Sequence, residues 1–259
     1  MNWNKNLDEL LGIAKKAGEA ILEIYNSDDF GVEVKGDDSP LTKADKMANE
    51  IICSGLLDLF PEIPIISEEN KQIPYSVRSK YPHFWLVDPL DGTKEFIKRN
   101  GDFTVNIALI QNNVVIGGIV YTPVTEDLYY AYRNAGAFHV NGGTKTPLAS
   151  KPFHLNDIGL RVVCSRSHLN EDTQHFVDGL NQPNLVSRGS SLKFLILASG
   201  DAELYPRLAP TMEWDTAAAQ IILEEAGGKV INEETGQPLI YNKEVLRNPY
   251  FVAYAKVQE

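Results

Sequence analysis

The sequence predicts an α/β protein, formed as one large domain or as two intimately packed halves. Three observations predict it. The chain has 259 residues, 43% of them hydrophobic, which is enough to bury a sizeable core. Apolar side chains recur at helical spacing up to Pro61 and then fall into paired strand-like runs. Beyond Pro152 strand-like and helix-like stretches alternate, as they do in α/β units. Residues 1–148 are expected to form an α+β half and residues 149–259 an α/β half, with the boundary inside 144–152.

Leu7, Leu10, Leu11, Ala14, Ala17, Ile21, Leu22 and Ile24 predict a first helix over residues 4–25. Residues 32–35 fit a short strand and 36–40 a polar loop. Thr42 opens a second helix with Asp45 early in it, and Phe60-Pro61 stops it. Residues 63–66 read as a strand, and Ser67-Glu68-Glu69-Asn70 follows at its end. An irregular, mobile loop is expected over 71–82. Residues 84–87 form a buried strand ending at Asp88, and a helix can start over 93–98. Residues 105–110 and 114–121 pair around Gln111-Asn112-Asn113. A second hairpin is expected from 128–132 and 137–140. Further strands are expected at 161–165, 185–186, 203–205, 230–231 and 251–254. Helices are expected at 171–180, at 192–198 before Gly200, and at 215–226 before Gly227-Gly228.

The net charge of -11 argues against nucleic-acid binding. An acidic chain that handles phosphate needs bound cations to reverse the local field. Cys53 and Cys164 fit neither a zinc spacing nor a disulfide framework, so both are expected as free thiols in a reducing compartment. The first ten residues are polar, with Asp8 and Glu9, unlike a signal peptide. No apolar run is long enough to span a membrane. The expected location is the cytoplasm, and loose attachment at the inner membrane stays open.

Chemistry concentrates in Trp85-Leu86-Val87-Asp88-Pro89-Leu90-Asp91-Gly92-Thr93-Lys94-Glu95-Phe96. Pro89 removes a backbone donor, and Gly92 permits a sharp change of direction. The Asp88 and Asp91 carboxylates, the Leu90 carbonyl and the Thr93 hydroxyl then meet at the carboxyl end of a strand, beside a helix start. Hard cations take oxygen ligands, and phosphate takes helix N-termini. Asp-Pro and Asp-Gly are also ordinary turn chemistry, but the whole stretch after an apolar strand is more specific. Two more acidic turns, Glu68-Glu69 and Asp215 after Met212-Glu213-Trp214, are read as strand ends too. Ligands from strand ends converge on one edge of a sheet. Four carboxylates and the Leu90 carbonyl make an oxygen-only site suited to Mg²⁺, and a pair of such ions clamps displacement at phosphorus. The plainer alternatives are solvated loop charge for Glu68-Glu69, a helix N-cap for Asp215, and an ordinary first-turn acid for Asp45.

Asp88-Pro89-Leu90-Asp91-Gly92-Thr93 and Trp214-Asp215-Thr216-Ala217-Ala218 with Glu225-Ala226-Gly227-Gly228 resemble the two signatures of the inositol monophosphatase superfamily. Ser67-Glu68-Glu69 is similar to its shorter third signature, and Thr42-Lys43-Ala44-Asp45 to its early aspartate. Within the superfamily the chain is most similar to the bacterial CysQ-type 3'(2'),5'-bisphosphate nucleotidases. That closer similarity lies in Thr93-Lys94-Glu95-Phe96, Gly189-Ser190-Ser191-Leu192-Lys193-Phe194 and Tyr205-Pro206-Arg207 with Pro210-Thr211-Met212-Glu213-Trp214-Asp215.

The resemblance implies an αβαβα layered sandwich of the sugar phosphatase type. It implies two or three Mg²⁺ ions held by Glu68, Asp88, the Leu90 carbonyl, Asp91 and Asp215. It implies catalytic roles for Asp45, Thr93 and Glu68, with Asp45 and Thr93 orienting and deprotonating the attacking water. Gly92 and Thr93 are the implied phosphate cradle, and Glu68, Leu90, Asp91 and Asp215 also border the substrate. The implied reaction converts adenosine 3',5'-bisphosphate to AMP and phosphate, in sulfur assimilation or nucleotide recycling. 3'-Phosphoadenylylsulfate is a second implied substrate, and lithium inhibition is a family trait.

Substrate choice draws on fewer residues. Ser190 and Lys193 lie on an expected helix start where a second phosphate could dock. His168 resembles a substrate-side residue of related nucleotidases, and Arg207 could face the same pocket. The partner expected is a small phosphorylated nucleotide, bound by a monomer or homodimer. The competing readings are an inositol or sugar monophosphatase on the same fold, and a catalytically silent metal and nucleotide sensor.

Overall fold

A computed structural model describes residues 3–27, 30–34, 40–164 and 170–258. The first two helices, α1 (Leu7–Tyr25) and α2 (Lys43–Leu59), pack on each other and on one face of a seven-stranded sheet. That sheet runs Ile65–Ser67, His83–Asp91, Thr104–Gln111, Val114–Thr122, Asp127–Tyr132, Ala137–Asn141, Thr144–Pro147, each strand bonded to the next. Its first pair is parallel and the remainder antiparallel. Two short helices, α3 (Tyr75–Arg78) and α4 (Thr93–Ile97), flank the His83–Asp91 strand in sequence. Three more follow in the second half: α5 (Glu171–Asp178), α6 (Leu192–Ala198) and α7 (Ala217–Glu225).

Helix α7 covers the other face of the seven-stranded sheet, with α6 packed beside it. Behind them lies a five-stranded sheet in the order Asn184–Ser187, Arg161–Cys164, Leu204–Arg207, Phe251–Tyr254, Lys229–Asn232. Helix α5 rests on its Leu204–Arg207 strand. The layers are therefore αβαβα. The last strand of the larger sheet ends at Pro147, and every strand of the smaller sheet lies after it.

Strand alternation divides the core into two. Phe84 and Leu86 enter the cluster shared with α6, α7 and the smaller sheet, while Trp85 and Val87 enter the cluster under α1 and α2. Because both faces are covered, the run 84–87 is apolar throughout rather than alternating. Gly118 shows how closely α7 sits on the sheet. A Cβ there would lie 2.3 Å from the carbonyl oxygen of Ala218, so the helix that follows Asp215 is seated against bare backbone. Asn112 and Asn113, at φ 49° and 66°, make the expected tight hairpin.

Three expectations need correction. The stretch 71–82 is not a loose loop: α3 lies in it, and Arg78, 4% exposed, donates to Asn242 Oδ1 and to the carbonyls of Lys243 and Glu244. A charged side chain bonded through its two terminal nitrogens to three distant acceptors fixes the segment. The buried strand does not end at Asp88 but continues to Asp91. Finally, the segment before Asp215 is not a sheet strand. Met212 makes an isolated bridge to Arg247. Glu213, wholly buried, instead accepts the backbone N–H groups of Asn242 and Lys243 and pairs with the Lys243 amine at 2.6 Å. A buried charge must be paired in this way, and the loop that pairs it displaces a ladder.

The polar loop expected over 36–40 lies, except for Pro40, outside the described residues. Cys53 and Cys164 are both free thiols. Among the described residues no helix is long and apolar enough to cross a membrane.

Candidate active site

The site is built on a break in strand periodicity. Residues three apart on a regular strand face opposite ways, so Asp88 and Asp91 would be separated by the sheet. The ladder to the neighbouring strand pairs Asp88 with Asn106 and Asp91 with Thr104, and its register shifts between them. Pro89 and Leu90 occupy the irregularity. Pro89 suits it because it has no N–H to lose from the ladder. The Leu90 N–H turns back to Asp88 Oδ1 at 3.0 Å. Both aspartates thereby border one cleft.

Glu68 comes from the parallel neighbour. Its backbone N–H extends the Ile65–Ser67 ladder by bonding the Val87 carbonyl at 3.1 Å, which sets Glu68 beside Asp88. Asp215 arrives from the second half on the turn before α7. Its Oδ2 accepts from Thr211 Oγ1 at 2.7 Å and from the Met212 N–H at 2.9 Å. It is therefore held by residues ahead of it rather than acting as the helix N-cap, a position that Thr216 occupies. Glu68, Asp88 and Asp215 each bring one carboxylate oxygen within 4.8 Å of the others.

Asp91 completes the acidic wall. Its Oδ2 accepts from Ser190 Oγ and from the Ser191 N–H, both at 2.6 Å. The bonds named for Asp88, Asp91 and Asp215 thus each converge on a single oxygen. The protein orients each carboxylate through one of its oxygens.

Such crowding is costly without a counter-charge. Burial, then Glu68, Asp91, Asp215 and Asp45, push the Asp88 carboxyl well above its ordinary range. Burial, then Asp91 and Glu68, push Asp215 up to about 7. All-oxygen donors, mutual repulsion and pre-oriented carboxylates are what a hard divalent cation requires. The donor set fits such an ion.

Asp45 reaches the same place from the start of α2. The Thr42 N–H and hydroxyl both donate to Asp45 Oδ2, at 2.7 and 2.5 Å, closing a capping box. Thr93 Oγ1 lies 3.2 Å from Asp45 Oδ1 and 3.3 Å from the Leu90 carbonyl oxygen. Capping the helix and holding Thr93 are one arrangement, because each uses a different carboxylate oxygen. Gly92 has φ 96°, and a Cβ on it would lie 2.9 Å from the Asp102 carbonyl oxygen, so this turn requires glycine.

Next to the acidic wall opens a cleft of about 390 Å³, bordered by Asp91, Asp215, Ser190, Lys193, Tyr205, Arg207, Lys94, Lys98 and Glu95. Lys193 is 7% exposed, and its amine donates to the Ser190 carbonyl at 2.6 Å. Burial lowers its pKa to about 8, with Asp91 pulling it upward and Arg207 pushing it down. Lys193 also lies 5.5 Å from the Tyr205 ring centroid. Arg207 reaches the cleft and donates to the Pro210 carbonyl. His168 lies outside the described residues.

Sequence reasoning missed the residues behind the wall. Asn106 and Thr104 carry no signal of their own, and Thr211 and Ser191 stood out only as parts of Pro210-Thr211-Met212 and Gly189-Ser190-Ser191.

Residues 3–257 match the model of the inositol monophosphatase family. The 3'(2'),5'-bisphosphate nucleotidase CysQ of Escherichia coli K12 is 42% identical over 248 residues, covering 95% of this chain and 98% of that one. The crystal structure of CysQ from Bacteroides thetaiotaomicron, a bacterial member of the inositol monophosphatase family, superposes with a TM-score of 0.85 at 42% identity, covering 98% of both chains. An inositol monophosphatase from Thermotoga maritima, 22% identical, shares the fold with a TM-score of 0.79 over 97% of this chain and 92% of its own.

Proposed function

This chain belongs to the inositol monophosphatase family, and we propose that within it the protein is a Mg²⁺-dependent 3'(2'),5'-bisphosphate nucleotidase. It hydrolyses the 3'-phosphate of adenosine 3',5'-bisphosphate, giving AMP and phosphate, and accepts 3'-phosphoadenylylsulfate by the same chemistry. The observation that carries this reading is the meeting of Glu68, Asp88 and Asp215 beside a cleft bordered by Lys193 and Arg207, with Asp215 lining both. Similarity to named nucleotidases over nearly the whole chain supports it. We take residues 1–148 and 149–259 as its two structural halves, with the site at their junction.

Glu68, Asp88, the Leu90 carbonyl, Asp91 and Asp215 are the proposed ligands. When bound, the cations supply Lewis acidity that offsets the charge of a phosphate dianion and acidifies water. The remaining work is positioning. Thr93 donates its hydroxyl proton towards Asp45 or Leu90, so its oxygen can accept a hydrogen bond from the attacking water. As the water oxygen bonds to phosphorus and the bond to the 3'-oxygen breaks, the water proton passes to Thr93 while Thr93 releases its own to Asp45, and the departing 3'-oxygen takes a proton from a second, solvent water to become the 3'-hydroxyl of AMP. Asp45 stays in place because Thr42 holds its other oxygen. The backbone N–H groups of Gly92 and Thr93 are the proposed cradle for the transferring phosphoryl group. Lys193 and Arg207 are the proposed contacts for the second phosphate.

Phosphate release from adenosine 3',5'-bisphosphate, 3'-AMP and inositol 1-phosphate, with and without Mg²⁺, tests the reading. The bisphosphate is expected to have the highest kcat/KM, by about a hundredfold, and to require Mg²⁺. A better inositol ester would instead identify an inositol monophosphatase. Lys193→Ala is expected to raise KM for the bisphosphate about tenfold and to change KM for 3'-AMP little. Equal effects on the two would remove Lys193 from the second-phosphate site.

A further inference from the structure

Thr104 and Asn106 lie on the strand paired with the acidic turn, yet both are buried, at 0% and 1% exposure. They form a closed polar group with Ser190 and Ser191, which come from the other half of the chain. Ser190 Oγ donates to Asp91 Oδ2 at 2.6 Å, and Ser191 Oγ donates to Asn106 Oδ1 at 2.9 Å. A serine hydroxyl has one proton, so both are committed. Thr104 Oγ1 lies 2.6 Å from Ser190 Oγ and 2.8 Å from Ser191 Oγ. Ser190 has no proton left to give, so Thr104 donates in the 2.6 Å contact; its single proton serves Ser190 rather than the longer contacts with Ser191 Oγ and, at 3.3 Å, with Asn106 Oδ1.

The commitment of the Ser190 proton to Asp91 and the shortness of the Thr104 contact thus set a direction from Thr104 through Ser190 to Asp91. A hydroxyl that accepts one hydrogen bond donates the next more strongly. Asn106, held by Ser191, brings its own amide to 3.4 Å from the same Asp91 oxygen. Ser190 has φ 52°, in the left-handed region that a serine enters only when its surroundings hold it. Here its side chain is tied to Asp91, and its carbonyl to the Lys193 amine.

We propose that Thr104 is a positioning residue for the cation site. Acting through Ser190, it turns Asp91 so that Oδ2 faces the protein and Oδ1 is left for the metal. The inference rests on the reading of Asp91 as a metal ligand. It also reassigns Ser190, whose hydroxyl proton serves Asp91 rather than a second phosphate.

Thr104→Val keeps the side-chain shape and removes the donor, whereas Thr104→Ser keeps the donor and removes a methyl group. Calorimetric titration with Mg²⁺ and the Mg²⁺ dependence of activity are compared with those of Asp91→Asn. Thr104→Val is expected to weaken Mg²⁺ binding about tenfold. It should raise the half-saturating Mg²⁺ concentration to match and recover most of kcat at saturation, while Thr104→Ser behaves as the parent. Parental Mg²⁺ affinity in Thr104→Val, with affinity lost in Asp91→Asn, overturns the inference and leaves the ligand role of Asp91 standing. Unchanged affinity in Asp91→Asn overturns both. Equal losses in the two Thr104 variants would assign the effect to packing and overturn the inference alone. If Thr104→Val does not fold, Ser190→Ala removes the final bond of the chain beside the cleft, and the same criteria apply to it.

Discussion

Asp91→Asn is expected to lower phosphate release by about a thousandfold or more, with little loss of folded structure. Ser190 Oγ and the Ser191 N–H both donate to Asp91 Oδ2. The asparagine carbonyl oxygen can accept both bonds, so the fold keeps its contacts between the halves. The same orientation then directs the amide nitrogen to where the second carboxylate oxygen lay. A hydrogen-bond donor there faces a cation, and one negative charge is lost from the wall. Without metal the variant should be at least as stable as the parent, because Asp91 is among the charges that raise the Asp88 and Asp215 carboxyls. Phosphate release and thermal melting in a chelator check the two halves of this expectation. Full activity in the variant would reject the ligand role of Asp91.

Removing the metal should abolish activity and make stability depend on pH in a direction set by the crowded carboxylates. Asp215 is pushed up to about 7, and Asp88 is raised as well. Between the ordinary carboxylate range and about pH 7, the folded metal-free protein therefore binds more protons than the unfolded chain. Stability of the metal-free protein must then fall as pH rises through that window, the reverse of a salt-bridged aspartate. A bound cation displaces those protons, so its affinity rises over the same window. The gap in Tm between Mg²⁺-saturated and chelator-treated protein should widen from about pH 5 to about pH 8. A gap that stays constant or narrows would show that these carboxylates do not share the cation.

Much of this was legible because local chemistry and burial leave periodic marks. The helical spacing of Leu10, Ala14, Ala17 and Ile21 announced α1, and all four are buried. Thr42 and Asp45 announced the cap of α2, and both belong to its capping box. The hairpin at Asn112-Asn113 and the stop at Gly200, φ 74°, follow from backbone preferences that a sequence states directly. The stretch 71–82 was misread because Arg78 looks like a surface residue until its partners at 242–244 are known.

By itself the sequence determined the fold class, the family resemblance and the residue types offered at each turn, since these depend on periodicity, capping and short motifs. Which carboxylates meet is set by long-range packing. Their meeting required the register shift at Pro89-Leu90 to bring Asp88 and Asp91 to one cleft. It also required α7 to lie on the bare backbone of Gly118, which carries Asp215 to Glu68 and Asp88. Thr104 and Ser190 meet Asp91 for the same reason. Contacts between residues so far apart in the chain are set by packing of the two halves, and packing leaves no local pattern to read.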